Sequence, residues 1–326
     1  MKIKNSHFQS CFLVFAVFAM VFGLGKGSAE TSNKKYGPTA SAVKQVKIVC
    51  PFLLRTCLDE LVTGFRKTTR APKIVVLNSN DKDMAGQTPE PVLQFTILEK
   101  FPSNKLEANS TEQRKYNFLP LGKVALAIFV SKETPLKGLT IPQVDSIFSR
   151  DRRCGFPFDI HCFGQLGLTG KWLDSEIEPL GPASFPSLAR WFKRACMCNG
   201  TFKDKVKLLA TKTDLFKAVS SQSRAIGFYM STRRNKDRIK PVAISVKEGK
   251  DYFLPTPDNI NSGDYPLTTT AGIRYQKAIL DQKEMAFLHF CLSKKGQKIL
   301  SSHGIIPRYP KGYKGKGLPA VETVTP

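Results

Sequence analysis

The sequence predicts a layered α/β protein, and three observations carry that prediction. An apolar strand, a helix with one buried face and a second apolar strand follow one another between residues 46 and 78. A strong strand and a capped helix occupy residues 123 to 150. An amphipathic helix closes the apolar part of the chain, over residues 284 to 304. Strands alternating with helices read as sheets covered by helical layers.

Taken in order, "VKIVC" (46–50) reads as a buried strand. The following stretch "LLRTCLDELVTGFRK" places Leu54, Cys57, Leu58, Leu61, Val62 and Phe65 at helical spacing. "KIVVLN" (73–78) is the second strand. Residues 79 to 115 are polar, apart from a strand at "VLQFTIL". "KVALAIFVS" (123–131) is a strand, and "GLTIPQVDSIFSR" is a short helix. Thr140 and Gln143 have the spacing of a capping box there, with Ile141, Val144, Ile147 and Phe148 on its buried face. "PLGPASFPSLARWF" (179–192) is a loop entering a helix that runs from about Ser187 through Cys196. Strands follow at "AIGFYM", "PVAISV" and "YPLTTTAGIRY". "EMAFLHFCLSKKGQKILSSHG" reads as one helix, with Gly304 placed to end it and Pro307 beyond. Residues 310–326 read as a disordered tail, and no internal repeat is present.

Residues 1–29 have the pattern of an export signal. Lys2 and Lys4 precede the apolar run "CFLVFAVFAMVFGLG", and Gly27-Ser28-Ala29 offers a cleavage site before Glu30. The run is short for a transmembrane anchor. Residues 30–43 read as a flexible leader. Lys2, Lys4 and Lys26 are the charges in the signal, so of 50 basic residues 47 remain after cleavage, against 26 acidic ones. Such a balance suits anionic partners. Nucleic acid is not among those expected, because the chain carries an export signal and lacks RNP, zinc-finger and homeodomain patterns.

Seven cysteines remain after cleavage: Cys50, Cys57, Cys154, Cys162, Cys196, Cys198 and Cys291. The odd number leaves at least one unpaired within a monomer. Cys154 and Cys162 bracket the short loop "CGFPFDIHC" and are the expected disulfide. Cys196 and Cys198 with His161 are the alternative soft-metal set, but no second CxC or CxxC accompanies them, so neither a metal nor a cofactor is expected. GxSxG, HExxH and Walker A motifs are absent. Cys50 and His161 lack a third group that would make them nucleophile and base. His289 and His303 read as packing or surface residues. The chain is not expected to be an enzyme.

Five segments together resemble one family, the periplasmic phosphate-binding receptors of ABC importers. They are "ALAIFVSKETPLKGLTIPQVDSIFSRDRR", "FGQLGLTGKWLDSEIEPLG", "AIGFYM", "PTPDNINSGDYPLTTT" and "FLHFCLSKKGQKILSSHGIIP", in the family's order, and the likeness as a whole covers residues 46 to 309. The resemblance implies a two-lobed type II periplasmic binding fold with two hinge strands, near "KVALAIF" and "YPLTTTAGI". It divides the chain into lobe I (44–126 and 267–309) and lobe II (127–266). It also implies a monomer in the periplasm, with a small anion or organic solute and an ABC permease as partners.

A dehydrated phosphate needs many donors, since each buried oxygen left unpaired costs about 1–3 kcal/mol. The family supplies them from three loops at or near helix starts, with an Arg for a bidentate contact. Where its first loop usually reads Gly-Ser-Asp-Thr, this chain has Cys50, Pro51, Phe52 and Leu53. Where the second reads Ser-Arg-Pro, it has Lys100, Phe101 and Pro102, with Ser103 following. Where the third reads Arg-Asn-Ser-Ala-Ser-Gly-Thr, it has Pro182 through Leu188, keeping Ser184 in place and Ser187 nearby. Three readings follow. In the first, phosphate is still bound, weakly, by backbone N–H groups with Lys100, Ser103, Ser184, Ser187 and Arg190. In the second, Phe52, Leu53, Phe101, Phe185, Leu188 and Trp191 converge on a cleft for a larger organic solute. In the third, the cleft is inert and the protein serves interaction or structure.

Overall fold

The structure, a computed structural model, describes residues 46–68, 74–78, 93–98, 116–231, 238–315 and 317–319. The expected export signal and leader lie outside the described residues.

β1 (Val46–Cys50) buries all but Lys47. It pairs in parallel with β2 (Ile74–Asn78), Val46 opposite Ile74 and Cys50 opposite Asn78. Parallel neighbours need a crossover. α1 (Arg55–Arg66) supplies it, burying Cys57, Leu58, Leu61, Val62 and Phe65 as the spacing requires. β3 (Leu93–Leu98) lies parallel to β1 on its other side.

The long strand β4 (Asn117–Ser131) begins six residues before the stretch legible in sequence. Its first part pairs antiparallel with β11 (Thr268–Tyr275). Its last part pairs antiparallel with β8 (Ala225–Met230) and β9 (Ile239–Pro241). β4 thus carries one sheet from one half of the molecule into the other. Beyond β8 lie β6 (Glu178–Pro182) and β7 (Lys207–Leu209), both parallel to it, so the strands run β2-β1-β3-β11-β4-β8-β6-β7. Where β4 and the segment leading into β11 pass between halves they are tied together. The Leu126 N–H donates to the Leu267 carbonyl at 2.9 Å, and the buried Tyr265 hydroxyl donates to the Leu126 carbonyl at 2.8 Å. The β4–β11 register shifts by one residue at Ala271/Gly272. A Cβ on Gly272 would stand 2.3 Å from the Leu119 carbonyl oxygen, which explains a glycine at this bulge.

Helices cover both halves. α2 (Ile141–Phe148) starts after β5 (Gly138–Thr140) with the expected Thr140–Gln143 capping box. α3 (Pro186–Cys196) follows β6, and α4 (Lys212–Ser221) follows β7. β10 (Ala243–Ser245) pairs in parallel with β5, and α5 (Pro257–Ser262) precedes the return strand β11. Phe148 of α2, Phe192 of α3 and Phe228 of β8 form one buried aromatic cluster.

Three expectations are corrected. The C-terminal helix is two helices, α6 (Gln282–Leu292) and α7 (Lys294–Ser302). Ser293 is extended between them, and its hydroxyl accepts the Gly296 N–H at 3.2 Å, so the serine caps a new helix instead of continuing the old one. The disulfide joins Cys154 to Cys198, not to Cys162. α3 packs on α2 through Phe192 and Phe148, which brings the end of α3 to Cys154. Cys162 is held instead at the start of a 3-10 turn, where its N–H donates to Gln165 at 3.1 Å. Lastly, the start of the expected disordered tail carries a turn. The Tyr313 N–H donates to the Leu292 carbonyl at 2.9 Å, and Tyr313 packs on Tyr309. Before that turn β12 (Ile306–Pro307) pairs with β4.

Candidate functional site

Strand direction locates the site. β1 and β3 run the same way as β4, so their carboxyl ends point along β4 toward the second half. β8, β6 and β7 run the opposite way, so theirs point back. The loops that leave Cys50, Pro182 and Leu209 therefore border one cleft, the usual ligand position in open α/β sheets.

The loop after β1 offers little to an anion. Cys50 is buried, its thiol pKa is pushed up by that burial, and its Sγ donates to the Pro51 carbonyl at 3.2 Å. Pro51 has no N–H. The Leu54 N–H turns back to the Pro51 carbonyl at 2.9 Å, and no side chain caps α1. Phe52 projects from this turn, 58% exposed, and Leu53 is half-buried.

In the loop after β6, several donors are committed within the chain. The Ala183 N–H goes to the Leu209 carbonyl at 2.8 Å, and the Ser184 hydroxyl goes to the Ala210 carbonyl. Pro186 opens α3 without an N–H, while the Leu188 and Ala189 amides both donate to the Phe185 carbonyl. Ser187 is half-buried on the first turn, and Arg190 is exposed one turn in. Leu188, placed at the cleft in the second reading, is a core residue instead, 0% exposed, and Trp191, whose helix position reads more as core than as ligand contact, is core at 4% exposed. They lie on the stripe of α3 that packs inward. Lys100, Phe101 and Ser103 lie outside the described residues.

The two loops meet through rings. Phe52 and Phe185 have centroids 5.6 Å apart, and this contact joins a loop of one half to a loop of the other. Phe185 in turn meets Tyr229 edge-on at 5.6 Å, and Tyr229 meets Phe216 of α4 at 5.5 Å. Lys212, the first residue of α4, holds its Nζ 5.6 Å from the Tyr229 centroid and 5.4 Å from that of Phe216. Burial pushes the Tyr229 phenol pKa up, so the phenol stays neutral. Tyr229, Phe216 and Lys212 were not legible in the sequence as cleft residues. The one available signal was the position of Tyr229 near the end of the strand read at "AIGFYM".

The other sites considered in the sequence come apart. Cys198 is in the disulfide and Cys196 is buried, so the pair does not form a ligand set with His161. Among the described residues there is no group of three or more metal-ligating side chains.

Comparisons with known proteins agree with this architecture. The chain is similar to the phosphate-binding protein PstS of Pseudomonas aeruginosa, 35% identical over 202 residues, which is 60% of this chain and 62% of that protein. It therefore spans less than two thirds of that relative's length. It is similar in structure to an ABC-type phosphate transport receptor from Vibrio cholerae, with TM-score 0.61 and 19% identity over 81% of this chain and all of the other. It is also similar to PstS from Borrelia burgdorferi, with TM-score 0.55 and 15% identity over 81% of this chain and 98% of the other. No protein-family model matches the chain. The fold is the two-lobed type II periplasmic binding fold, its lobes joined by two hinge strands.

Proposed function

We propose that this chain, a relative of the phosphate-type substrate-binding proteins, is an exported solute-binding protein of an ABC importer whose cleft has lost most of its oxyanion grip. The observation that carries this reading is the contact of Phe52 with Phe185, between loops that would otherwise present hydroxyls and amides to a phosphate. Ser184 is engaged with Ala210, and Pro51 and Pro186 have no N–H to give. The residual anion contacts fall to Lys100, Ser103, Ser187 and Arg190, with Ser184 if it exchanges its partner. Such a set holds phosphate weakly or leaves the cleft to another solute. The lobes comprise 44–126 with 267–309, and 127–266. Cleavage after Ala29 releases the mature protein, a monomer, into the periplasm to meet a permease. Its work is binding, not catalysis.

A ligand at a hundredfold excess over its Kd stabilises the protein that binds it by about 2.7 kcal/mol. Thermal melts of the mature protein with and without millimolar phosphate test the reading. A small or absent rise is expected; the full stabilisation of about 2.7 kcal/mol for a saturated site overturns it.

The same ring contact supports a second reading. Because Phe52 and Phe185 join the lobes through protein atoms alone, closure on this reading needs no ligand, and the scaffold serves interaction with an acidic partner.

A further inference from the structure

We infer that the end of the second half lying away from the cleft is a docking face for an anionic lipid bilayer, with Phe158 entering the headgroup layer inside a collar of arginine and lysine. The inference draws nothing from the cleft and stands apart from both readings of it.

Two loops build this face, residues 149–162 after α2 and residues 197–206 after α3. They run side by side. The Arg150 N–H donates to the Thr201 carbonyl at 2.8 Å, the Lys203 N–H donates to the Phe148 carbonyl at 2.9 Å, and the Cys154–Cys198 disulfide joins the pair. α3 starts at the cleft loop, and its 11 residues carry the chain about 16 Å away from it.

The first loop is fixed from beneath. The buried Ser146 hydroxyl donates to the Phe158 carbonyl at 2.6 Å and accepts the Ile160 N–H at 3.0 Å. Phe156 packs against the core, and Phe158 meets it edge-on with centroids 4.9 Å apart. Phe158 nonetheless leaves 48% of its surface to water. Its backbone is anchored while its ring points outward, so the exposure is built into the loop. Covering that ring removes apolar area from water, a gain that scales with the area.

Cations surround the ring. Arg150, Arg152 and Arg153 stand on the same loop and Lys205 on its neighbour, while Lys193 in the last turn of α3 lies 4.8 Å over the Phe202 ring. Arg150 reaches Asp204 at 2.7 Å and Arg153 reaches Asp151 at 3.5 Å, surface pairs that hold little energy in water. Arg152 and Lys205 have no ion pair among the described residues. Burial lowers the Lys203 pKa, and the nearby charges of Lys205 and Arg152 lower it further, which gathers all three around one spot. Lys203 itself is paired with Asp159, beside Phe158. With that pair set aside, the five other named cations face Asp151 and Asp204, an excess of three positive charges.

Guanidinium groups match phosphate oxygens in pairs, and an aromatic ring among long cationic side chains settles at the headgroup level. An acidic peptide would use the cations and leave Phe158 in water. A neutral partner would use the ring and leave the charges without anions. A bilayer carrying anionic lipids satisfies both.

Sedimentation of the mature protein with vesicles tests this, comparing phosphatidylcholine alone with an equimolar mixture of phosphatidylcholine and phosphatidylglycerol. Each variant is first checked for a cooperative melt. Wild type is expected to bind the mixed vesicles, to ignore the neutral ones, and to be released as salt rises from about 0.1 M to about 0.5 M. Arg152→Gln with Arg153→Gln should weaken binding about twentyfold, roughly fivefold for each charge. Phe158→Ser should weaken it roughly tenfold. Lys247→Gln with Lys250→Gln removes the same charge just after β10, whose partner β5 leads into the other end of α2, and should cost less than about threefold. Equal weakening by the two double variants makes the contact a matter of overall charge and overturns the inference. No binding to the mixed vesicles overturns it as well. Vesicle binding that Phe158→Ser leaves unchanged overturns it too, in favour of an acidic protein partner where soluble polyglutamate displaces the vesicles.

Discussion

Asp145 sits fully buried in α2 with its two oxygens treated differently. Oδ2 accepts the Cys154 N–H at 2.6 Å, while Oδ1 has no hydrogen-bond partner. Desolvation raises its pKa above the ordinary 3.8, against the lowering effect of the Cys154 N–H and the Ser149 hydroxyl. The sign of the consequence follows. Between 3.8 and the raised folded value, the native state keeps a proton that the unfolded chain releases, so this residue's contribution to stability falls as pH rises through that window. Asp145→Asn removes the titration while an amide oxygen can still accept from Cys154. Denaturant melts from about pH 4 to about pH 7 should show a flatter profile for Asp145→Asn than for wild type. Parallel profiles would contradict the assignment. At the same scale, the lack of side-chain oxygens after β1 was readable from the residues themselves. Pro51, Phe52 and Leu53 carry no side-chain oxygen, and no folding can supply one. What the residues did not reveal is that the retained Ser184 spends its hydroxyl on Ala210.

Between elements, the Cys154–Cys198 bridge joins the segment after α2 to the end of α3, across 44 positions of sequence. Closing a loop of this size stabilises by about 2–4 kcal/mol. Reduction with a dithiol, or Cys198→Ser, should lower the unfolding free energy by that amount in urea melts. A change below about 0.5 kcal/mol would show that α2 and α3 are held by the Phe148–Phe192–Phe228 cluster alone. The elements themselves were legible where local signals agreed. The capping box of α2, the buried stripe of α1 and the apolar run of β8 all stand where their residues put them. β6 was missed because "EPLGP" has two prolines and a glycine in five residues; its strand form is imposed by β8 and β7 on either side. α4 was missed because its buried positions are few, Leu215 and Val219. The break at Ser293 escaped because the apolar spacing continues through it, while the serine hydroxyl decides the geometry.

Over the whole molecule, one antiparallel strand pair, β4 with β11, runs between two α/β halves whose strand ends face each other. That arrangement was reachable from the sequence only through the family resemblance, because periodicity identifies elements and not which of them become neighbours. The cleft was half legible. Its two described loops could be set against the family pattern residue by residue. The path from Phe185 through Tyr229 to Lys212 could not, since it draws on three elements brought together by the sheet. The central claim is that a receptor scaffold has exchanged an oxyanion grip for an aromatic seam. Equilibrium dialysis of the mature, phosphate-stripped protein against labelled inorganic phosphate tests it most directly. No retained label is expected at about 10 µM phosphate, because too few donors remain to offset dehydration of the ion. Stoichiometric retention at that concentration would contradict it.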